Sequence, residues 1–234
     1  GTLLAVPRTP GLPALRCAPA DIALNAEGMR AELLRLDPGL ARWFETRLAG
    51  IWNEIRDRVP PTLTLEEQSL FALGYYQQIA AIAAQAPEDS RRISLQTFVP
   101  SLFALALERT GSGNEPVAEN RALLQALSLY VNQLPVEQLL MDPDETAEDI
   151  RYIHVSLQRR DDLSQHFVSA AAIAASAGVG IAEVLSNSKE VYDARYRSGF
   201  NFADMTANAA GMALGNTATR DESSARRIQQ RLAY

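Results

Sequence analysis

Residues 167–185 read FVSAAAIAASAGVGIAEVL, and this alanine-rich stretch is the most membrane-like segment of the chain. Ser169 and Glu183 interrupt it, and Gly178 and Gly180 divide it near its middle. A helix that spans a bilayer needs about 20 consecutive, mostly apolar residues. The stretch therefore predicts two short helices buried in a protein core rather than a membrane span.

Helical periodicity extends over most of the remaining sequence, with apolar residues three and four positions apart. The predicted helices lie at 25–36, 37–58, 64–86, 117–132, 162–177, 181–195, 203–216 and 221–232. Residues 152–157 alternate between polar and apolar types, which favours one short extended stretch. We expect an all-α fold, a bundle of about eight helices with at most one short extended segment.

Three regions of the chain differ in composition. Residues 1–22 are rich in proline and predict an extended N-terminal segment. Residues 23–145 predict an N-terminal helical bundle, and residues 146–234 a C-terminal helical unit that packs with it as one domain. Any association with a membrane would come through an anchor preceding Gly1.

The balance of charged residues narrows the classes of partner. The chain carries 22 Lys and Arg against 28 Asp and Glu, a net charge of −6, and no long basic run, so nucleic acid is not an expected partner.

A single cysteine excludes an intramolecular disulfide and a cysteine-based zinc site. Glycine-rich phosphate loops and zinc-protease motifs are absent from the sequence, and no cofactor is expected.

Small residues recur at four-residue intervals near the C-terminus, at Ala207, Gly211 and Gly215. Such a ridge lets the backbones of two helices approach closely. We therefore expect close packing of this helix on a neighbour.

Ionisable and amide side chains gather in the last third of the chain. Their spacing of three or four residues puts pairs of them on one helical face. This predicted cluster consists of Asp162, His166, Lys189, Glu190, Asp193, Asp204 and Asn208.

Two interpretations of these residues stay open. They form either a polar network that fixes the packing of helices or a functional site, in which His166 and Glu190 are the candidate catalytic residues. A divalent cation would suit one imidazole with several carboxylates, but the Glu-x-x-His spacing and the second histidine typical of such helical sites are missing. No metal is therefore expected.

Three ordered motifs within residues 161–216 resemble a known group of proteins. They are Gln165-His166-Phe167, Lys189-Glu190-Val191-Tyr192-Asp193 and the run from Ser198 through Asp204 to Gly211. Together they resemble the small bacterial envelope lipoproteins of the YfiM type, and residues 204–215 also resemble the end of VanZ-like membrane proteins. The resemblance implies the periplasm or the outer envelope, although a cytoplasmic location fits the composition equally well.

The function expected from the residues and the resemblance together is that of a helical cell-envelope protein of bacteria. Its expected role is non-enzymatic binding of an envelope protein or a lipid-linked partner, and the oligomeric state stays open. The alternative is a hydrolase or transferase that acts on a cell-wall or lipid-linked substrate. That enzyme would use Glu190 as general acid or base and His166 as its proton partner.

Overall fold

A computed structural model describes residues 65–136, 150–180, 182–183, 185–186 and 201–234, without the side chains of residues 65 and 66. The described residues all lie within one compact unit, Val59–Tyr234. The predicted proline-rich segment and the helices before residue 59 fall outside them, as does most of the helix predicted at 181–195. The predicted division into regions at residues 22 and 145 stays a prediction.

Helices make up 75% of the described residues, which confirms a mainly helical class, but they number six in this part of the chain rather than about eight. In chain order the elements are α1 (Leu65–Ala84), β1 (Arg92–Ser94), α2 (Leu95–Gly111), α3 (Pro116–Val131), β2 (His154–Ser156), α4 (Asp161–Ala177), α5 (Phe202–Thr219) and α6 (Glu222–Leu232).

Polar side chains cap the N-terminal ends of four of the described helices, and at α2 the Ser94 hydroxyl accepts a hydrogen bond from the Gln96 N–H. At α3 the Glu115 carboxylate accepts hydrogen bonds from the first backbone N–H groups, in front of Pro116. Asn201 and Asp221 do the same for α5 and α6. These groups have no partner within the helix, so each cap removes an unsatisfied donor.

The hydrophobic core lies among α1, α2 and α3 and is rich in aromatic rings. Tyr75 and Tyr76 of α1 are fully buried, and the Tyr76 ring meets Tyr130 of α3 edge-on at 6.0 Å between centroids. The Tyr130 hydroxyl donates a hydrogen bond of 2.8 Å to the carbonyl oxygen of Arg151, which holds the segment before β2 against the core. Four large side chains of α3 are buried in this core: Leu123, Leu124, Leu127 and Tyr130.

Two short strands pair in parallel, so the expectation of at most one extended segment is wrong. Arg92 lies opposite His154, with Ile93 and Ser94 opposite Val155 and Ser156. The predicted segment at 152–157 contains β2. β1 was missed because three residues directly before a helix are too few to show alternation.

A two-residue turn after β2 holds both of its central residues in an uncommon backbone conformation. Leu157 and Arg160 exchange backbone hydrogen bonds of 2.9 and 3.0 Å, and between them Gln158 and Arg159 have φ angles of 51° and 66°. Such turns favour Asn-Gly, because a left-handed conformation costs other residues about 1–2 kcal/mol each. The turn is therefore strained, with the exposed Arg159 at its tip.

α4 and α5 lie side by side and run in the same direction. Gly211 faces the backbone of Phe167 and Gly215 faces that of Ala171, so the contacts advance along both helices together. A Cβ atom would lie 2.1 Å from the Phe167 carbonyl oxygen at Gly211, and 2.2 Å from the Ala171 carbonyl oxygen at Gly215. The close packing predicted from the small-residue ridge is confirmed.

A buried amide network attaches α6 to three other helices. The fully buried Gln229 donates from Nε2 to Thr110 Oγ1 of α2 and to Asn120 Oδ1 of α3, each at 3.0 Å. Asn120 in turn donates to the carbonyl oxygens of Ala218 in α5, at 2.8 Å, and Ala225 in α6, at 3.2 Å. The amide donors of Asn120 and Gln229 therefore have partners in this network, whereas the buried Gln229 Oε1 has none in the described part of the chain.

Candidate functional site

Polar side chains meet along the first turns of α4 and α5. We call this group the polar cluster; it consists of Arg160, Asp162, His166, Asp204 and Asn208. Four of these residues were predicted from the sequence, and Arg160 was not. Three other predicted members, Lys189, Glu190 and Asp193, lie outside the described residues.

Arg160 joins the two helices by charge. Its Nε donates to Asp162 Oδ1 at 3.1 Å, and its Nη2 lies 3.1 Å from Asp204 Oδ1 on α5. The hydrogen bond from Arg160 holds the pKa of Asp162 below its usual value, and the same bond raises the pKa of Arg160. Since both side chains remain about half exposed, at 40% and 48%, the Arg160–Asp162 pair adds little stability by itself.

His166 lies deeper in the polar cluster, with its side chain 9% exposed. Its Nε2 is 3.5 Å from Asp204 Oδ2, and its Nδ1 is 3.1 Å from Asn208 Oδ1. Each ring nitrogen therefore faces an oxygen of α5. A general acid or base needs a ring nitrogen directed at a reacting group, and here both nitrogens are directed at the neighbouring helix.

Asn208 is the one polar-cluster residue with a buried polar atom that lacks a partner among the described residues. Its Nδ2 is buried and makes no hydrogen bond in the part of the chain that the structure describes. A buried amide donor without a partner costs about 1–3 kcal/mol.

No group of three or more His, Cys, Asp or Glu side chains suited to a metal ion occurs among residues 65–136, 150–180 and 201–234. In the polar cluster, the carboxylates of Asp162 and Asp204 are bound to Arg160. A guanidinium group competes directly with a cation for those oxygens.

A second group of polar side chains surrounds a buried carboxylate on α3. Glu119 is fully buried and accepts hydrogen bonds of 2.5 Å from Tyr75 and from Asn114, with Arg109 Nη1 3.7 Å away. Burial and the neighbouring carboxylate raise the pKa of Tyr75, so its phenol remains a proton donor to Glu119. Sequence analysis missed this network, because a glutamate in the first turn of a helix is also typical of an exposed residue that favours the helix dipole.

A basic surface follows the two strands and the turn after β2. We call it the strand–turn surface; it consists of Arg91, Arg92, His154 and Arg159, all exposed. Arg92 Nε and His154 Nδ1 lie 2.8 and 3.6 Å from the Asp161 carboxylate. In the sequence this surface corresponds to two Arg-Arg dipeptides, Arg91-Arg92 and Arg159-Arg160. They are far apart along the chain, and only the pairing of β1 with β2 shows that they belong to one region.

Within the described residues, none of the helices is both long enough and apolar enough to cross a membrane. The model of one protein family, described as CRISPR-associated protein (Cas_Csd1), matches residues 26–83, about a quarter of the chain. Residues 65–83 of the match form most of α1. No curated protein and no solved structure matches the chain.

The family match corrects the expectations that rested on the envelope resemblance. The likeness to YfiM-type lipoproteins and VanZ-like proteins is wrong, and so is the periplasmic or outer-envelope location. The physical reason lies in α4 and α5: Gly211 and Gly215 provide close packing, and Asp204 and Asn208 contact α4. Motifs built from such residues report the pairing of two helices rather than an envelope setting.

The family match also overturns the expected function and partners. The envelope binding module is wrong, and the alternative hydrolase or transferase with a His166–Glu190 pair has no support. The expectation of an envelope or lipid-linked partner and the exclusion of nucleic acid are wrong for the same reason. Net charge alone does not exclude nucleic acid as a partner, because an acidic chain can still carry a basic surface.

Proposed function

We propose that this protein is a CRISPR-associated protein that works by binding, in an assembly with nucleic acid and other CRISPR-associated proteins. The observation that carries the proposal is the family match at residues 26–83. A role of this kind would have the protein act in the cytoplasm, where cellular nucleic acid is found.

The described part of the match supports a structural contribution from α1 together with an outward contact. Tyr75, Tyr76 and Ile79 anchor the helix in the core. On its exposed side, Leu70 and Gln77 are seven residues apart and therefore share one helical face. Leu70 is 43% exposed, so an apolar side chain is available to a partner protein on this face.

Co-purification from the cells that encode the protein tests the proposal. The tagged full chain should retain other CRISPR-associated proteins together with RNA that contains CRISPR repeats. A Leu70→Glu variant places a charge on the exposed face of α1 and should retain less of the protein partners. The matched control is Tyr234→Ser, since Tyr234 is 97% exposed and lies outside the family match.

Two results would contradict the proposal. One is a full chain that retains neither CRISPR-associated proteins nor repeat-containing RNA. The other is a set of partners that belongs to a different cellular process.

For the polar cluster we propose a positioning role in which His166, Arg160 and Asp162 hold α5 in register with α4. The distances from His166 to Asp204 and Asn208 support this role, as does the link from Arg160 to Asp204. Hydrogen bonds between facing polar side chains stabilise a helix pair only in one relative position.

A further inference from the structure

We infer that the strand–turn surface binds the phosphodiester backbone of a nucleic acid. The inference rests on the proposed function and names the part of this chain that would contact nucleic acid. Arginine is the side chain best suited to phosphate, because its planar guanidinium donates two parallel hydrogen bonds.

The local charge of the surface differs in sign from that of the whole chain. The strand–turn surface carries three arginines, Arg91, Arg92 and Arg159, against the single Asp161 carboxylate that Arg92 and His154 share, in a chain whose net charge is −6. The parallel pairing of β1 and β2 brings these residues together. A concentration of positive charge on one surface attracts a polyanion even when the protein is acidic overall.

Two of the arginines are available for a ligand. Arg91 and Arg159 are exposed, and neither side chain forms a hydrogen bond or an ion pair with any residue in the described part of the chain. Arg92 and His154 lie side by side in the strand register and share the Asp161 carboxylate. The surface therefore contains two arginine side chains without a partner among the described residues, Arg91 and Arg159, beside Arg92 and His154, which contact Asp161.

The strained turn is an independent reason to assign a function to this surface. Gln158 and Arg159 both have positive φ angles, although neither is glycine. Backbone strain of this kind persists where the rest of the structure enforces it, and it is concentrated at functional sites. An Asn-Gly sequence would relax the turn but would remove the arginine from its tip.

Arg220, directly before α6, and Arg226 and Arg227 within it form a second group of arginines and serve as the comparison. Arg226 pairs with Glu222, and Arg220 with Asp221. Arg227 donates to the hydroxyls of Ser223 and Ser224. These side chains have partners on or beside their own helix, so a phosphate would have to displace existing bonds.

Fluorescence anisotropy with the full chain and labelled single strands of about 20 nucleotides tests the inference. RNA and DNA probes of the same sequence distinguish the two sources of phosphate, and a salt titration counts the phosphate contacts. Arg91→Ala with Arg159→Ala should weaken binding by about tenfold or more and reduce the slope of log affinity against log salt by about 1.4, since each phosphate contact with a single strand contributes about 0.7. The charge-matched control, Arg226→Ala with Arg227→Ala, should weaken binding clearly less, because both side chains already have partners.

A second pair of variants separates binding from folding. Gln158→Asn with Arg159→Gly should raise the melting temperature, because it relaxes the turn, and should still weaken binding. Arg159→Lys should retain most of the affinity and the salt slope, since its charge is kept.

Three results would overturn the inference: no binding of either probe by the wild-type chain, equal losses in the two arginine pairs, or full affinity in the Asn-Gly variant. In each case the proposed function would still stand if CRISPR-associated proteins and repeat-containing RNA co-purify with the chain. If they do not co-purify but the strand–turn surface binds both probes as expected, the inference stands and the proposed function fails.

Discussion

Gly211 and Gly215 set the distance between α4 and α5, because even one methyl group at either position would overlap a carbonyl oxygen of α4. We expect Gly211→Ala to force the helices apart at a cost of about 1–3 kcal/mol. For a chain of this size that corresponds to a melting temperature lower by about 2–10 °C, measured by circular dichroism. Gly111→Ala is the control, since no atom lies within 4 Å of its added Cβ, and an equal loss there would contradict the explanation.

Asp221 makes the stability of α6 depend on pH. The hydrogen bond from the Ser224 backbone N–H, followed by those from Ser223 and Arg220, lowers the pKa of Asp221 in the folded protein. The stabilisation is therefore fully present above the unfolded pKa of about 4 and is lost as pH falls below it. We expect Asp221→Asn, which keeps the capping oxygen but not the charge, to melt below wild type at neutral pH.

The difference between Asp221→Asn and wild type should shrink as the pH falls from about 5 to about 2. Melting curves recorded across that range measure it. A difference that stays constant with pH would show that the charge of Asp221 is irrelevant to stability.

Single residues also show how far a sequence can predict a site. The helical spacing of Asp162 with His166, and of Asp204 with Asn208, correctly indicated shared faces. Arg160 was missed, since its contact with Asp204 depends on the relative position of α4 and α5 rather than on spacing within one helix. Glu119 was missed because burial depends on neighbours from α1 and α2.

At the scale of helices, the positioning role proposed for His166 leads to a stability experiment. His166→Ala removes contacts to Asp204 and Asn208 and should cost about 1–3 kcal/mol. Gln165→Ala is the control, because Gln165 is exposed on the same helix. Differential scanning fluorimetry would compare the variants with EDTA and with added Mg²⁺, Mn²⁺ or Zn²⁺.

We expect the metals to leave all three proteins unchanged. If His166→Ala were instead as stable as wild type or more stable, the contacts of His166 would not stabilise the fold, as is typical of residues kept for a function at a cost in stability. The positioning role would then be wrong.

The buried amide network should contribute strongly to the attachment of α6. Asn120→Ala leaves the carbonyl oxygens of Ala218 and Ala225 without their donor and removes an acceptor from Gln229. We expect a loss of about 2–3 kcal/mol in urea unfolding. Gln125→Ala, which breaks an exposed hydrogen bond to Ser176 from the same helix, should cost much less.

Helices were predicted well where the spacing of apolar residues within a single segment is enough to identify them. The bounds expected at 64–86, 117–132, 162–177, 203–216 and 221–232 differ from the observed helices by only a few residues. α2 was not predicted, since Pro100 lies inside it and proline is more typical of a helix end. β1 and the strained turn were also missed, because pairing with a distant strand and a left-handed backbone leave little trace in local periodicity. The resemblance failed for a related reason, since short motifs describe a helix pair and not a whole protein.

On the scale of the whole molecule, α6 is the last helix and packs on earlier helices through its buried Gln229. We therefore expect it to be required for the stability of the described unit. A chain that ends at Arg220 loses Gln229 and every contact of α6 with α2, α3 and α5. We expect this truncated chain to lose its cooperative unfolding transition, measured by circular dichroism during heating. Removal of Ala233 and Tyr234 alone should leave the transition in place, and a cooperative transition in the shorter chain would contradict the prediction.

The parallel pairing of β1 with β2 also has a kinetic consequence. The two strands are far apart in sequence, with α2 and α3 between them. Their pairing is therefore a non-local contact, and the chain loses the entropy of loop closure before the bonds between the strands can form. We therefore expect the helices to form and dock first and the strands to join late, after the rate-limiting step of folding. Substitutions at Ile93 or Val155 would then leave the folding rate nearly unchanged and accelerate unfolding, so the strand–turn surface would be the first part of the molecule to open.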